Sequence, residues 1–185
     1  GYNTTAATLA WTVQRALTTA GVWSRLAAEA LEAFEATSSA DGDLLRNLPY
    51  AEAVVHEALR LHPAGSFSPR QAVVEVPVGD HCIAENALVL WSPYLAGRSE
   101  AVWEDPLEFR PERHLEASTA QAAQMAAAWV PFGRGPRRCI GFGLAQMELT
   151  LIVSRLALHL DLGAVNQVTP SPYGMVVNRP RGGVP

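Results

Sequence analysis

The segment at residues 132–141 reads Phe-Gly-Arg-Gly-Pro-Arg-Arg-Cys-Ile-Gly and leads into apolar residues at helical spacing over residues 139–160. Cys139 therefore lies at a predicted helix N-terminus, with three arginines just ahead of it. Both features favour a thiolate, the form of cysteine that binds metal ions. Gly135 and Gly141 would let the backbone turn tightly and approach a flat ligand, while an arginine can pair with a carboxylate of that ligand.

Taken without its surroundings, a single cysteine at the start of a helix is usually a half-buried structural residue. The surroundings favour a different interpretation. The pattern of Phe132, Gly135, Arg137, Cys139 and Gly141 resembles the signature of the cytochrome P-450 family. The resemblance implies haem b, iron protoporphyrin IX, with Cys139 as the thiolate ligand of the iron, which favours O–O cleavage. It also implies that Arg137 meets a haem propionate and that Phe132 packs beside the sulfur.

The rest of the chain predicts a mainly α fold with small β-sheets, an α+β class. Helices are predicted at residues 1–17, 22–36, 50–61 and 139–160. Strands are predicted at residues 73–78 and 87–91, a loop at 38–42 and a terminal hairpin in the tail. Residues 103–114 are expected to be irregular, and residues 117–128 to be either helix or loop. No repeat and no interdomain linker is evident.

Composition narrows the classes of function. With 49% hydrophobic and 17% charged residues, the chain matches one globular domain or a piece of one. Its net charge of -4 gives no reason to expect nucleic acid or an anionic membrane as a partner. Apolar runs are shorter than the roughly 20 residues that span a bilayer. We therefore expect a chain with no membrane association of its own and a cytoplasmic location, although an anchor could lie in a missing part.

The cysteines and histidines do not suggest a second metal site. Cys82 and Cys139 are too far apart in sequence for a Cys-x-x-Cys pair and too few for a disulfide framework, which favours a reducing compartment. We expect Cys82 to lie on the surface of the small sheet. The five histidines share no helical face or zinc-ligand spacing, so a zinc site is not expected.

Glu57 and Arg60 stand three residues apart on a predicted helix and can pair. By itself such a pair is usually solvated and contributes little stability. The stretch from Glu57 to Pro63 is similar to the Glu-x-x-Arg helix of the family, and residues 109–113 resemble its Pro-Glu-Arg segment. The resemblance implies that Arg113 joins Glu57 and Arg60 in a buried network behind the haem.

Two further segments carry expectations that rest on the resemblance. Arg70 matches a position that binds the other propionate, although it could equally be a surface arginine at a strand end. The first five residues, Gly-Tyr-Asn-Thr-Thr, resemble the oxygen-activation segment of the family's long central helix. The resemblance assigns Thr4 to hydrogen-bonding bound dioxygen in a local opening of that helix, whereas a mid-helix threonine normally bonds its own backbone. Asn3 stands where the family usually has an acid.

Residues 64–68 and 173–175 correspond to pocket-lining regions of the family. The alternative interpretation is that both segments are loops with ordinary packing and no role in a pocket. The resemblance extends over essentially the whole chain, from the oxygen-activation segment to the ending Arg-Pro-Arg-Gly-Gly at residues 179–183. It implies that residues 1–185 are the C-terminal part of a single catalytic domain whose N-terminal part is absent.

The implied reaction inserts one oxygen atom of O2 into a small organic substrate, with electrons from NAD(P)H through a redox partner. Arg134, Arg137 and Arg138 would form a basic surface where an acidic ferredoxin or flavoprotein reductase could dock. A peroxygenase or isomerase on the same scaffold, and a non-catalytic haem-binding or orphan fragment, remain as alternatives.

Overall fold

The computed structural model describes residues 1–36, 44–174 and 177–183. The loop predicted at residues 38–42 lies outside the described residues. Seven α-helices are described: α1 Tyr2–Thr18, α2 Val22–Ala36, α3 Pro49–Leu61, α4 Pro93–Ala96, α5 Arg113–Glu116, α6 Thr119–Ala128 and α7 Phe142–His159. Two short 3-10 helices lie at Leu45–Asn47 and Gly135–Arg137. The predicted mainly α fold with small sheets is confirmed.

The core forms where α1, α2 and α7 pack around α3. Helix α3 begins with Pro49 at its first turn, where the missing N–H costs nothing, and ends at Leu61 before Pro63. Gly21 has a φ of 78°, which allows the sharp turn between α1 and α2. Most side chains of α3 are buried, so α3 is the central element onto which the other helices pack.

The strands of the described residues form three separate two-stranded antiparallel sheets. Strand β1 Ser68–Gln71 pairs with β4 Leu88–Trp91, β2 Val76–Val78 pairs with β3 His81–Ile83, and β5 Pro172–Tyr173 pairs with β6 Arg179–Pro180. The last pair is the predicted terminal hairpin. Cys82 lies exposed on β3.

The strand predicted at residues 73–78 is wrong over its first half. The backbone of Ala72 bonds to both Ala87 and Asn86, which closes the β1–β4 ladder and turns the chain away. Val73 and Val74 are left exposed at that bend, and only Val76–Val78 is a strand. Their β-branched side chains favour a strand, but no partner strand among the described residues lies beside them.

The structure also decides between helix and loop at residues 117–128, and it moves one helix boundary. Residues 119–128 form a helix because Ser118 and Gln121 make a capping box at its start. The last long helix begins at Phe142 rather than at Cys139, with Gly141 as its N-cap. Cys139 is held outside the helix because its backbone N–H bonds to the carbonyl of Phe132.

Candidate cofactor site

The loop before α7, which we call the cysteine loop, comprises residues 129–141. It is closed by the bond from the N–H of Cys139 to the carbonyl of Phe132, 2.8 Å long, and by a 3.0 Å bond from Arg138 N–H to Gly135 O. Gly135 adopts a φ of 66°, and a side chain there would meet no atom within 4 Å. Glycine is therefore favoured at that position by backbone conformation and not by lack of space.

A cavity of about 880 Å³ separates the cysteine loop from helix α1. Six of the predicted site residues line it: Thr4, Arg70, Phe132, Arg137, Cys139 and Gly141. Apolar side chains complete its walls, among them Leu9, Leu59, Phe67, Leu144, Leu149 and Ile152. Asn3 and Gly135 are not among the lining residues. The cavity is within the size range of sites for small molecules and cofactors, about 300–1,000 Å³.

The two arginines of the cavity have no carboxylate partner in the described part of the chain. Arg137 is exposed and makes no side-chain hydrogen bond or ion pair with any described residue. Arg70 donates to Ser68 Oγ at 2.9 Å and to the carbonyl of Pro69 at 2.8 Å, and it lies 5.9 Å from the Trp91 ring. Both guanidinium groups are therefore available to acidic groups of a ligand.

Gly141 lines the same cavity with an ordinary φ of -88°, and a Cβ added there would meet no atom within 4 Å. A side chain would extend into space that the described residues leave open. Ile140, beside Cys139, is fully exposed at 102%. The thiol, the guanidinium groups without carboxylate partners and the open apolar walls together suit a flat, anionic cofactor that contains a metal.

A buried ionic network lies behind the cysteine loop. Arg60 donates to both oxygens of Glu57, at 2.8 Å from Nε and 2.7 Å from a terminal nitrogen. Arg113 Nε donates to Glu57 Oε1 at 3.0 Å. The Glu57 and Arg60 side chains are 0% exposed, so they form a buried ion pair and not a solvated pair on the surface.

Backbone groups complete this network. Arg60 also donates to the carbonyls of Gly97, Pro106 and Glu108. The backbone of Gly97 lies very close to the backbone of Arg60. A Cβ added at Gly97 would be 2.3 Å from the Arg60 carbonyl oxygen, so only glycine fits there. Burial opposes ionisation of Glu57, but hydrogen bonds from Arg60 and His114 outweigh burial and lower the pKa of Glu57 to about 2.

Two histidines beside the network were not singled out by the sequence patterns. His114 Nε2 lies 2.9 Å from Glu57 Oε2. The His56 ring lies 5.7 Å from the His114 ring and 4.6 Å from the Trp129 ring. Burial, followed by His114, lowers the pKa of His56 to about 4, so His56 is neutral at neutral pH. The only available signal was adjacency, since His56 precedes Glu57 and His114 follows Arg113.

Helix α1 is regular from Tyr2 to Thr18, without the local opening that the resemblance implied near Thr4. The Thr4 hydroxyl donates to the Gly1 carbonyl at 2.8 Å, and the Thr8 hydroxyl donates to the Thr4 carbonyl at 3.0 Å. These bonds satisfy the hydroxyls within the helix, which removes the reason for an opening. The exposed Asn3 side chain has no described partner.

Of the expected pocket-lining regions, Ala64, Gly65, Phe67 and Ser68 line the cavity. Tyr173 does not line it and packs with Arg179 and Arg181, at 5.5 and 5.0 Å from its ring. Met175 lies outside the described residues.

Within the described ranges, no helix has both the length and the apolar character needed to cross a membrane. The same residues contain no group of three or more histidine, cysteine or acidic side chains that could hold a metal ion.

Comparison with known proteins identifies the family. The family model for cytochrome P450 matches residues 1–183. The chain is 35% identical to "Putative cytochrome P450 139" of Mycobacterium tuberculosis, over 88% of this chain and 37% of that protein. It is 35% identical to "Corytuberine synthase" of Coptis japonica, over 88% of this chain and 33% of that protein. It is 32% identical to "Cytochrome P450 714C3" of Oryza sativa subsp. japonica, over 100% of this chain and 36% of that protein.

The chain belongs to the cytochrome P450 family. It spans about a third of the length of the curated relatives it matches. Haem is the cofactor of this family, and the residues of the cavity fit it on two observations. First, the exposed Cys139 thiol lines the same cavity as two arginines without carboxylate partners. Second, Gly141 leaves open space at the end of the cysteine loop.

Proposed function

We propose that the protein carrying this chain is a haem-thiolate monooxygenase that inserts one atom of O2 into a small organic substrate. Electrons would come from NAD(P)H through a ferredoxin or flavoprotein reductase. Residues 1–185 would form the C-terminal part of its single catalytic domain, in a cytoplasmic protein. The observation that carries the proposal is one cavity lined by both Thr4 and Cys139, in a chain of the cytochrome P450 family.

The chain's own residues would hold haem b in defined roles. Cys139 would supply the thiolate, and Arg137 and Arg70 would each pair with a propionate. Phe132 would pack beside the sulfur, supported by ring contacts to Trp129 at 6.0 Å and Phe142 at 6.4 Å. Gly135 would maintain the turn of the cysteine loop, and Gly141 would admit the flat ring at close range. Haem bound in this way supplies the O2 and redox chemistry.

On the other wall, Thr4 would act on protons, with Asn3 as its neighbour in α1. The Thr4 hydroxyl now donates to the Gly1 carbonyl, and a rotation of that side chain would redirect it into the cavity that Thr4 lines. Asn3 can order water but cannot ionise, so it would relay protons less well than an acid. The buried residues Glu57, Arg60 and Arg113 would be structural, holding the region behind the cysteine loop.

Asn3 also motivates a second candidate. Its side chain is neutral, and Asn3 does not line the cavity. A peroxygenase or isomerase on the same scaffold needs no proton relay for O2 cleavage, so it would tolerate this arrangement. A non-catalytic haem-binding or orphan fragment is the third possibility.

Isotopically labelled O2 separates these functions in the haem-loaded protein that carries this chain. With NADPH, a ferredoxin–reductase pair and a panel of small apolar test compounds, a monooxygenase gives product that contains one labelled oxygen. Unlabelled product formed only with added peroxide identifies a peroxygenase. If the protein takes up no haem at all, the result supports an orphan fragment and contradicts the proposal.

A further inference from the structure

Trp129 connects the cysteine loop to the central helix α3. Its indole N–H donates a 3.0 Å hydrogen bond to the carbonyl of His56, which belongs to α3. Its ring lies 4.6 Å from the His56 imidazole and 6.0 Å from the Phe132 ring. Phe132 in turn accepts the N–H of Cys139 at 2.8 Å. A continuous set of contacts therefore leads from α3 to the backbone of Cys139.

His56 is also contacted from two further elements. The ring of His114, next to α5's first residue, lies 5.7 Å away, and His114 bonds to the buried carboxylate of Glu57. Gln146 of α7 hydrogen-bonds to His56 Nε2. Because α3, α5, α7 and the cysteine loop meet at His56, its position couples the buried network to the loop that carries Cys139.

The cysteine loop needs such a connection because burial does little to hold it. Residues 134–140 are all exposed, whereas Trp129 and Phe132 are half-buried and pack against the main core. An exposed loop that gains little from apolar burial depends on hydrogen bonds and ring contacts at its ends for a fixed geometry. Trp129 supplies both types of contact to α3.

We propose that Trp129 and His56 are positioning residues that fix the Cys139 thiol for ligation by tying the cysteine loop to α3. This inference rests on the proposed haem-thiolate function. Trp129 does not line the cavity, so its effect would pass through Phe132 and the Cys139 backbone. Loss of the indole N–H would loosen the loop while the fold of the helical core remains.

The test compares Trp129→Phe, which removes the N–H donor and keeps a ring, with Trp129→Leu, which removes both. Trp23→Phe is the matched control, because Trp23 is half-buried against the same core but lies on α2 and does not line the cavity. All variants are made in the haem-loaded protein that carries this chain. The readouts are hydrogen exchange of the Cys139 amide and the fraction of the reduced carbon monoxide complex that keeps the red-shifted Soret band of thiolate ligation.

Trp129→Phe should speed exchange of the Cys139 amide roughly fivefold, the factor expected for one lost hydrogen bond. Trp129→Leu should speed it further, and both should lower the thiolate-ligated fraction. Exchange of α2 amides should stay unchanged, as should both readouts in Trp23→Phe. If Trp129→Leu does not fold, Trp129→Phe decides alone.

Unchanged Cys139 exchange in Trp129→Phe would overturn the inference. Equal acceleration in α2 would also overturn it, since that would indicate general destabilisation. A wild-type protein without the red-shifted Soret band would instead contradict the haem-thiolate function. In that case exchange at Cys139 still decides whether Trp129 fixes the loop.

Discussion

Thr4 and Cys139, far apart in sequence, line the same cavity of about 880 Å³. The relationship arises because α1 and α7 both pack against α3, which brings the start of α1 opposite the cysteine loop. A group held by the Cys139 thiol would thus face the hydroxyl-bearing side of α1. Proton chemistry on one wall and metal ligation on the other are compatible with this arrangement.

The buried network should be indispensable for haem uptake. Glu57→Ala, Arg60→Ala and Arg113→Ala each leave a buried charge without its partner, which typically costs about 3–5 kcal/mol. We expect each variant to lose haem incorporation, measured as the ratio of Soret to protein absorbance. A denaturant titration should show the corresponding loss in free energy of unfolding.

Arg110→Ala is the control for these three variants. Its side chain is 36% exposed and pairs with Glu104, which is 76% exposed, so we expect a loss below about 1 kcal/mol and normal haem content. The Arg110 backbone N–H, which bonds Glu57, is kept in the variant. Wild-type haem content in all three network variants would show that the network is dispensable.

The features of the fold and the site that could be predicted from sequence are those set by residues close together in the chain. The helices at residues 22–36 and 50–61 follow from local periodicity and capping, and the structure confirms them. Cys139 could be singled out because its signature is contiguous. The roles of His114 and Trp129 depend on residues of α3 far away in sequence, so no local pattern indicates them. The strand predicted at residues 73–78 is wrong over its first half because strand propensity does not specify a partner.

The half-buried His56 and the buried His62 should make the fold sensitive to mild acid. Burial, followed by His114, lowers the pKa of His56 to about 4, and burial, followed by Arg98, lowers the pKa of His62 to about 3. The ordinary value is 6.5, so below it the unfolded chain binds protons that the folded chain does not. The free energy of unfolding should therefore fall as pH falls below about 6.5, by at most about 1.4 kcal/mol per pH unit for each histidine.

Denaturant titrations between about pH 7 and pH 5 measure this slope. His62→Phe should reduce it, because phenylalanine keeps the stacking on Trp11, whose ring lies 3.8 Å from that of His62, without a titrating group. Glu57 acts at lower pH. Its pKa is lowered from 4.5 to about 2, so its ionised form stabilises the fold above pH 4.5, and that contribution is lost as the pH falls towards 2. A free energy of unfolding that is flat from neutral pH to about pH 5 would contradict the histidine assignment.

Asn3 should limit how efficiently electrons are used. Reduction of O2 requires protons, and an acid beside a threonine can relay them from solvent, whereas an amide cannot ionise. In the haem-loaded protein that carries this chain, Asn3→Asp should raise the fraction of reducing equivalents that appear as product and lower peroxide release. Thr4→Ala should do the reverse, and both effects are measured as product and peroxide formed per NADPH.

Reactions driven by added peroxide serve as the control, because they need no delivery of electrons and should change little in either variant. If neither substitution alters the use of reducing equivalents, the assignment of Asn3 and Thr4 is wrong or the protein does not activate O2. The second explanation would favour the peroxygenase or isomerase.

These 185 residues alone should bind haem only weakly. Cys139 is exposed and Ile140 is fully exposed, so the described residues do not bury the ligand side of the cavity. A cofactor site must bury most of its ligand to bind it tightly. Titration of the isolated chain with haem, followed by the Soret band, should give weak and incomplete binding. Tight binding at one haem per chain would contradict this expectation.

The reduced carbon monoxide spectrum of Cys139→Ser tests the central claim most directly. Only a thiolate donates enough charge to the iron to give the strongly red-shifted Soret band. In the haem-loaded protein that carries this chain, the wild type should show that band, while Cys139→Ser should lose it and Cys82→Ser, a change at an exposed cysteine on β3, should keep it. An unchanged spectrum in Cys139→Ser would contradict the assignment of Cys139 as the haem ligand.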